Sequence, residues 1–299
     1  MLNSQKNKFE TMKKILLSLV FIAAYSVCGA FTIESVRFHC DKDTVKINQL
    51  LAEALSNKNI STPGEYMAFF GNKLIGTPYV AHTLEGEKEY LTINIDELDC
   101  TTFVESLIAL TRAAMSNAPT WYAYADNLEK IRYHDGKLGD YTSRLHYISA
   151  WVVENTSRGY VKEISSEIPK SETQIKSLNY MTQHRDSYPA MKNDSIYQGI
   201  KNLESGYNMH QFPYVNKYNL SKKEVISALQ NGDIICLTTK IEGLDVTHLG
   251  IVQFQKGKPH LLNASSRKKE VTIDKYDLYE MLRNDRNCTG VRVIRVMGN

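Results

Sequence analysis

Cys100 stands where an extended segment changes into a helix, and its residue type and position could supply a nucleophile. Apolar residues alternate through residues 90–96, and over residues 103–114 they recur with helical spacing. The positive end of a helix dipole favours the negative form of a thiol in the first turn, and the thiolate is the nucleophilic form. A packing role is the alternative for a cysteine on an apolar helix. Cys100 is therefore a candidate nucleophile that needs a basic partner.

Two histidines on predicted strands could supply that partner. His248 lies in one strand, at residues 245–252, and His260 begins the next strand after a turn at residues 256–258. Strict antiparallel pairing around this turn does not bring the two rings together. An imidazole that accepts the thiol proton also needs a polar group to orient it. His260 is the first candidate for that role, and Asn263 is the second.

The elements that must position these residues follow an α+β plan. Helices are predicted in the first part of the chain, one of them beginning at a capping box in residues 62–65. A second capping box, at Ser221, opens a short helix, and short strands joined by tight turns follow it, interrupted by a helix over residues 274–283. The sequence therefore predicts that the helix bearing Cys100 packs on an antiparallel sheet.

The chain length suits one domain behind an export signal. Residues 1–30 combine four lysines, an apolar run at residues 15–25 and a small-residue end at Ala30, which is the layout of a secretory signal peptide. Residues 31–299 then form a single domain, with an inserted loop-rich region at about 120–220. We expect a periplasmic or secreted protein that has no membrane segment after signal cleavage.

The charge balance gives no indication of a nucleic-acid partner. The net charge of the whole chain is +3, but residues 31–299 hold 32 basic and 32 acidic side chains. There is no basic tract, so nucleic acid is not an expected partner.

The other cysteines of residues 31–299 have contexts that differ from that of Cys100. Cys236 lies in a predicted buried strand and is interpreted as a core residue. Cys40 and Cys288 lie near the two ends of the chain and could form a disulfide, which an exported protein permits.

Short segments of the chain lie in the order seen in the NlpC-type, papain-like cell-wall cysteine peptidases, which the sequence resembles. These segments are residues 76–79 (GTPY), 98–104 (LDCTTFV), 232–235 (GDII) and 247–252 (THLGIV). Three further segments are residues 141–147 (YTSRLHY), 243–248 (GLDVTH) and 262–266 (LNASS). The fuller set resembles one branch of that superfamily, once catalogued as a domain of unknown function and now associated with N-acetylmuramoyl-L-alanine amidase activity. The resemblance covers roughly residues 66–296.

The resemblance implies a papain-like fold and assigns roles to individual residues. Cys100 matches the nucleophile and His248 the general base. The family's third catalytic residue, a polar group that follows the base histidine in sequence, corresponds to His260. Tyr79 matches a tyrosine that lies over the thiolate and stabilises the oxyanion. The family pattern leads us to expect a histidine where Asn263 stands, so His260 and Asn263 both stay open as the orienting group.

Four residues are candidates for contacts with a substrate. Arg144 offers a guanidinium fork for a carboxylate or for sugar hydroxyls, and His146 lies beside it, although both could instead belong to a packed region. Asn263 and Ser265 belong to the segment at residues 262–266. No cofactor or metal is expected: His134, Asp135 and His146 are the one cluster to consider, and we interpret them as loop residues at the rim of a cleft.

The chemistry implied is acyl transfer to a cysteine. The resemblance predicts a cysteine amidase with a Cys-His-His mechanism that hydrolyses the N-acetylmuramoyl-L-alanine amide bond of peptidoglycan fragments (muropeptides), in a role in cell-wall recycling. One alternative is a cysteine endopeptidase that cleaves the stem peptide at the γ-carbonyl of D-glutamate. The other alternative is a non-catalytic glycan-binding protein on the same fold.

Overall fold

Helices fill the first part of the chain and an antiparallel sheet the last part, as the sequence predicts. A computed structural model of the protein describes residues 33–86 and 88–298, so the predicted signal peptide lies outside the described residues. The helices are α1 (Asp43–Ser56), α2 (Pro63–Lys73), α3 (Cys100–Ala114), α4 (Trp121–Arg132), α5 (Ile148–Ser157), α6 (Tyr180–Gln183), α7 (Asp194–Ser205), α8 (Lys223–Ala228) and α9 (Leu278–Leu282). The strands are β1 (Val36–Phe38), β2 (Leu91–Ile93), β3 (Val161–Glu163), β4 (Ser171–Lys176), β5 (His210–Asn216), β6 (Ile234–Thr239), β7 (Val246–Gln255), β8 (Lys258–Ser265), β9 (Glu270–Asp277) and β10 (Cys288–Val296).

The main sheet is antiparallel throughout the described residues and has the strand order β4-β5-β10-β6-β7-β8-β9, with β3 also paired to β10. The predicted turn between β7 and β8 is confirmed: Lys256 and Gly257 have φ of 50° and 76°, the positive values that a two-residue hairpin turn requires. In this hairpin Ile251 lies opposite Leu262, and Gln253 lies opposite His260. This register decides which side chains of β7 and β8 share a face.

Helix α3 is packed between other helices and the sheet. Nearly all of its side chains are buried, including Leu107 and Ile108, because its apolar residues extend around most of the helix. Helix α2 also approaches the sheet closely at Gly71, where a Cβ atom would lie 2.8 Å from a methyl group of Leu262 and 3.1 Å from one of Ile251. The α3 helix is therefore held rigidly, and its first residue, Cys100, has a defined position.

The region predicted to be loop-rich contributes to the sheet. Residues 33–299 form one compact unit, and strands β3, β4 and β5 arise from residues 161–216. These strands pair with β10 or with each other. The prediction missed them because their polar residues mask the alternation: β4 reads SETQIK, and most of its side chains are not buried. No helix in the described part of the chain is long and apolar enough to cross a membrane.

Two local predictions in the last part of the chain are wrong. The helix expected from residue 274 begins only at Leu278, because residues 270–277 are a strand that pairs with β8. The capping box expected at Ser221 does not form: α8 begins at Lys223, and its N-cap residue, Lys222, makes no side-chain cap. In both places a sequence signal for a helix start is overruled by neighbouring strand pairing or packing.

The predicted disulfide between Cys40 and Cys288 is also wrong, because both are free thiols. The Cys40 sulfur lies 3.6 Å from a carboxylate oxygen of Asp96, near the start of α1. The Cys288 sulfur lies on β10 and faces its own strand at the carbonyl of Gly290, 3.4 Å away. Cys236 is fully buried on β6, which confirms it as a core residue.

Candidate active site

Cys100 is the first residue of α3, and the residue before it fixes the start of the helix. The Asp99 carboxylate accepts a hydrogen bond from the Thr102 backbone N–H at 2.8 Å, and the Asp99 N–H donates to the Thr102 hydroxyl oxygen at 2.9 Å. This reciprocal cap satisfies one of the free N–H groups at the helix start. It also places a negative charge next to the thiol.

The Cys100 thiol is half-buried and is held in its neutral form. Burial and the charge of Asp99 raise the pKa of the thiol to about 11, although hydrogen bonding from the Leu249 backbone and the Thr101 side chain acts in the opposite direction. Burial and Asp99 thus act against the effect of the helix dipole, which by itself favours the thiolate. A base must remove the thiol proton before the sulfur can attack.

His248 lies on β7, directly before Leu249, the residue whose backbone faces the Cys100 sulfur. Burial lowers the pKa of the imidazole below its ordinary value of 6.5, against the opposing effects of Asn263 and Asp274. The ring is therefore neutral at pH 7. A neutral imidazole is a base that can accept the proton of a thiol within its reach.

Asn263 holds the His248 ring through one nitrogen. Its side-chain oxygen Oδ1 lies 2.9 Å from His248 Nε2. Its Nδ2 group donates to the Asp274 carboxylate at 3.0 Å and faces the carbonyls of Leu261 and Thr272. Since these partners accept hydrogen bonds only, Oδ1 is the oxygen that faces the ring, and Nε2 must carry the proton. The other ring nitrogen, Nδ1, then has a free lone pair.

The structure corrects the prediction that His260 orients His248. His260 lies opposite Gln253 on β7, five residues from His248, so the two histidines point to opposite faces of the sheet. The Nδ1 atom of His260 lies 3.0 Å from the backbone carbonyl oxygen of Asp274. Asn263, the second candidate, occupies the diagonal position on the face of His248 and makes the contact instead.

Tyr79 lies close to Cys100, as the sequence predicts. Its backbone N–H donates to the carbonyl of Lys269 at 2.9 Å, and its segment pairs with Leu98, two residues before Cys100. Burial and the neighbouring charges of Cys100 and Asp99 raise the pKa of the Tyr79 hydroxyl to about 12. The hydroxyl therefore keeps its proton and can donate a hydrogen bond to a negative oxygen.

Arg144 and His146, the predicted substrate contacts, have partners inside the protein. The buried Arg144 guanidinium lies 2.9 Å from the Glu85 carboxylate and 3.6 Å from that of Glu89. The Nε2 atom of His146 lies 2.8 Å from the Tyr141 carbonyl oxygen, and burial followed by the Arg144 charge lowers the pKa of His146 to about 3. We interpret these contacts as structural.

The sequence did not identify the role of one residue near His248, Asp274, and identified that of Ser265 only in part. Asp274 was assigned to a helix start, but it lies on β9 and fixes the amide of Asn263. Ser265, a predicted substrate contact, accepts a hydrogen bond from the Lys268 backbone at 3.2 Å and lines a pocket beside His248. Alternation of Val271 and Ile273 with polar residues could have indicated that the strand continues to Asp274.

The histidine cluster considered for a metal does not come together as a ligand set. His134 faces the Glu154 carboxylate at 3.2 Å, whereas His146 faces a backbone carbonyl. Within the described ranges, Cys40, Asp43 and Asp96 form a group with ligand atoms within 4.8 Å of one another. The Lys46 ammonium group forms an ion pair with Asp96 there, so a cation already neutralises part of this cluster.

The site combines three groups: a thiol at a helix start, a neutral imidazole held by an amide, and a tyrosine hydroxyl. Hydrolases use side chains of these kinds to cleave amide bonds. Fold and site together thus define an amidase-like hydrolase class. Residues 69–291 match the N-acetylmuramoyl-L-alanine amidase-like (AmiA-like) family, and the chain belongs to that family. The resemblance predicted from the short segments is thereby confirmed.

Solved structures agree with this assignment. The crystal structure of an N-acetylmuramoyl-L-alanine amidase from Bacteroides uniformis is similar to the chain with a TM-score of 0.73 and 36% identity, over 79% of this chain and 100% of that one. A Bacteroides fragilis protein provisionally named a xylanase has a TM-score of 0.72 and 38% identity, over 76% of this chain and 99% of that one. A Legionella pneumophila protein at 20% identity shares the fold, with a TM-score of 0.65, over 86% of this chain and 95% of that one. No curated protein matches the chain.

Proposed function

We propose that this protein is a cysteine amidase on a papain-like, NlpC-type core, and that it hydrolyses the bond between the lactyl carbonyl of N-acetylmuramic acid and L-alanine in soluble peptidoglycan fragments. The observation that carries the proposal is the arrangement around Cys100. Its sulfur faces the backbone of Leu249, and the preceding residue, His248, is held through Nε2 by Asn263. Family membership supports the choice of a peptidoglycan-related amide as substrate.

The first step is attack of Cys100 on the lactyl carbonyl. Nδ1 of His248 takes the thiol proton, and the sulfur forms a bond to the carbonyl carbon, whose oxygen becomes negative. The backbone N–H of Cys100 belongs to the helix start, where N–H groups have no acceptor within the helix. This N–H and the Tyr79 hydroxyl stabilise the oxyanion.

The second half of the reaction returns the enzyme to its starting state. The imidazolium of His248 gives its proton to the departing amine of L-alanine as the carbon–nitrogen bond breaks, which leaves a thioester. Water then attacks the thioester while His248 takes a proton from it, and the thiol is regenerated as the acid product leaves. Asn263 acts through His248 as a positioning residue, because it keeps Nδ1 turned toward the reacting atoms.

The neutral resting pair gives a pH dependence that differs from that of a thiolate–imidazolium pair. Because burial and Asp99 raise the pKa of Cys100 to about 11, we expect its alkylation by iodoacetamide to accelerate with pH through the alkaline range. The rate is measured from pH 5 to pH 11 by mass spectrometry of the Cys100 peptide, in a Cys40→Ser variant checked for folding by circular dichroism. A rate that is already at its plateau below pH 7 would mean that the pair rests in its ionised form.

Substitution of Asn263 and of His260 separates the two candidates for the orienting group. We expect Asn263→Ala to lower kcat by about 10-fold to 100-fold, since the Nε2–H loses its buried acceptor. The acid limb of its pH profile should also move to lower pH, because the hydrogen bond that His248 donates to Asn263 opposes the lowering of the His248 pKa. The matched variant, His260→Ala, should stay within about twofold of the wild type. The reverse order of effects would restore His260 as the orienting residue.

Product masses distinguish the amidase from the alternatives. Purified muropeptides are incubated with the protein, and the amidase is expected to release an intact stem peptide that begins with L-alanine. Cleavage at the γ-carbonyl of D-glutamate would instead identify a stem-peptide endopeptidase that uses the same residues. Absence of turnover, with muropeptide binding unchanged in a Cys100→Ala variant, would identify a glycan-binding protein.

A glycosidase function has less support from the same side chains. Glycoside hydrolysis uses two carboxyl groups that flank the scissile bond. Two carboxylates act electrostatically on His248, those of Asp99 and Asp274, and each already accepts a hydrogen bond from a structural donor, Thr102 or Asn263. The thiol and the imidazole favour acyl transfer instead.

We also propose that residues 1–30 direct export, so that the protein meets its substrate in the periplasm or outside the cell. The pattern of lysines, apolar run and small residues supports this placement. N-terminal sequencing of protein recovered from the periplasm or the medium should start after Ala30. Recovery of most of the protein in the cytoplasm with residues 1–30 intact would contradict it.

A further inference from the structure

A pocket of about 310 Å³ adjoins the candidate base. Its wall includes His248 and Asn263, and Leu237, Leu261 and Cys288 make part of the wall apolar. The imidazole therefore forms part of the wall of this pocket. A group bound in the pocket lies beside the ring that exchanges protons in the proposed reaction.

Two acidic side chains that line the pocket are already satisfied by the protein. Asp274 accepts a hydrogen bond from the Asn263 amide at 3.0 Å. The Asp285 carboxylate accepts from two backbone N–H groups, those of Asn287 and Cys288, at 2.9 Å and 3.0 Å. Both carboxylates therefore support the walls of the pocket.

Arg267 differs from these carboxylates because its charge has no partner among the described residues. It lines the same pocket, its side chain is exposed, and it makes no hydrogen bond or ion pair with the rest of the described chain. Its positive charge adds to burial in lowering the pKa of His248, so the guanidinium lies near the ring. An unpaired guanidinium beside a pocket of mixed polar and apolar lining is suited to a carboxylate, which it can bind through two parallel hydrogen bonds.

The turn that carries Arg267 is held in place at both ends. The Lys268 N–H donates to the Ser265 hydroxyl oxygen at 3.2 Å, and the Lys269 N–H donates to the Ser265 carbonyl at 2.8 Å. The Lys269 carbonyl in turn accepts from the backbone of Tyr79 at 2.9 Å. The backbone of the turn is therefore tied to the segment of Tyr79, which limits the movement of the turn that carries Arg267.

We propose that Arg267 is a specificity residue that binds a carboxylate of the leaving peptide. The proposal rests on the proposed amidase function, in which His248 protonates the departing amine, so the peptide that leaves must lie on the side of the imidazole. The pocket is lined by His248 and so lies next to the imidazole. A stem peptide that begins L-alanyl-D-glutamate brings carboxylates within a few bonds of the departing nitrogen, and the apolar lining accommodates its aliphatic parts.

The test compares two synthetic substrates that differ only in charge. One is N-acetylmuramoyl-L-alanyl-D-glutamate with free carboxylates, and the other is the same compound with both carboxylates amidated. The wild type should prefer the free acid by about tenfold in kcat/KM, mainly through KM, and the preference should shrink at high salt. Arg267→Gln should remove the preference, and Arg267→Lys should restore part of it.

Lys268→Gln is the matched control, because it removes the same charge from the next residue of the turn, which does not line the pocket. This variant should keep the wild-type preference. Equal effects of Arg267→Gln and Lys268→Gln, or a wild type that does not distinguish the two substrates, would overturn the proposal.

A binding measurement separates this proposal from the proposed function. Calorimetry on a Cys100→Ala variant compares L-alanyl-D-glutamate with its diamide, with and without Arg267→Gln. If Arg267→Gln weakens the binding of the dipeptide acid but not that of its diamide, the carboxylate site is supported. This conclusion holds even if the wild type hydrolyses neither substrate, a result that would contradict only the amidase function. Equal binding of acid and diamide in both backgrounds would overturn the role of Arg267.

Discussion

Replacement of Cys100 by alanine is expected to lower the rate of stem-peptide release by about 10³-fold or more, because no other group in the site can form the thioester. The fold should survive, since the substitution removes one half-buried sulfur atom at the first position of α3. The measurement is the rate of appearance of a peptide beginning with L-alanine, followed by liquid chromatography and mass spectrometry. Circular dichroism and thermal unfolding check that the variant is folded.

Cys40→Ala is the matched control for the loss of a thiol. Cys40 is also free and half-buried, but it lies near the start of α1 beside Asp96. This variant should release the stem peptide at the rate of the wild type. A Cys100→Ala protein that is folded and retains most of its activity would exclude covalent catalysis by this residue.

The second large effect is expected at His248. His248→Gln keeps a polar side chain that can still face Asn263, but an amide cannot accept the thiol proton. Since burial and Asp99 raise the pKa of the Cys100 thiol to about 11, the sulfur would stay protonated at pH 7, and we expect a loss of about 10³-fold in kcat/KM. The loss should become smaller as the pH rises, because hydroxide then ionises part of the thiol directly.

His260→Gln provides the control for this substitution. It makes the same change on the neighbouring strand, at a side chain that points to the opposite face of the sheet. Its activity should remain close to that of the wild type at every pH. If His248→Gln keeps the wild-type pH profile, a different group must remove the thiol proton.

The pH profile of the wild type follows from the same two residues. His248 must be neutral to act as a base, and burial lowers the pKa of its ring below 6.5. A lowered pKa keeps the ring neutral down to a lower pH, so the acid limb of kcat/KM should fall below pH 6.5.

Elements whose buried apolar residues recur at regular spacing were predictable from the sequence. The apolar residues of α3 recur with helical spacing because that helix is surrounded by other elements. The hairpin at Lys256 and Gly257 was predictable because a short, glycine-containing turn between two apolar segments favours a hairpin. The two turn residues adopt the positive φ values that such a turn requires. In both cases the local chemistry and the tertiary structure favour the same conformation.

Elements that depend on distant partners were not predictable in the same way. Strand β4 is polar on most of its length and exists because β5 pairs with it along six residues. Strand β9 continues past Ile273 to Asp277, where it pairs with His260 of β8 after a register shift, although the sequence Asp-Lys-Tyr-Asp also suits a helix start. Pairing across the sheet overrides local preference at such positions.

The sequence by itself determined which residue types were available for chemistry: a cysteine at a helix start, a histidine on a strand and a tyrosine in a preceding turn. Only the tertiary structure decided how they work together. The register of β7 and β8 brings Asn263 rather than His260 to the His248 ring, because side chains alternate between the faces of a strand. Burial together with Asp99 decides that Cys100 is a neutral thiol, since the pKa of a group depends on its surroundings, which its neighbours in sequence specify only in part.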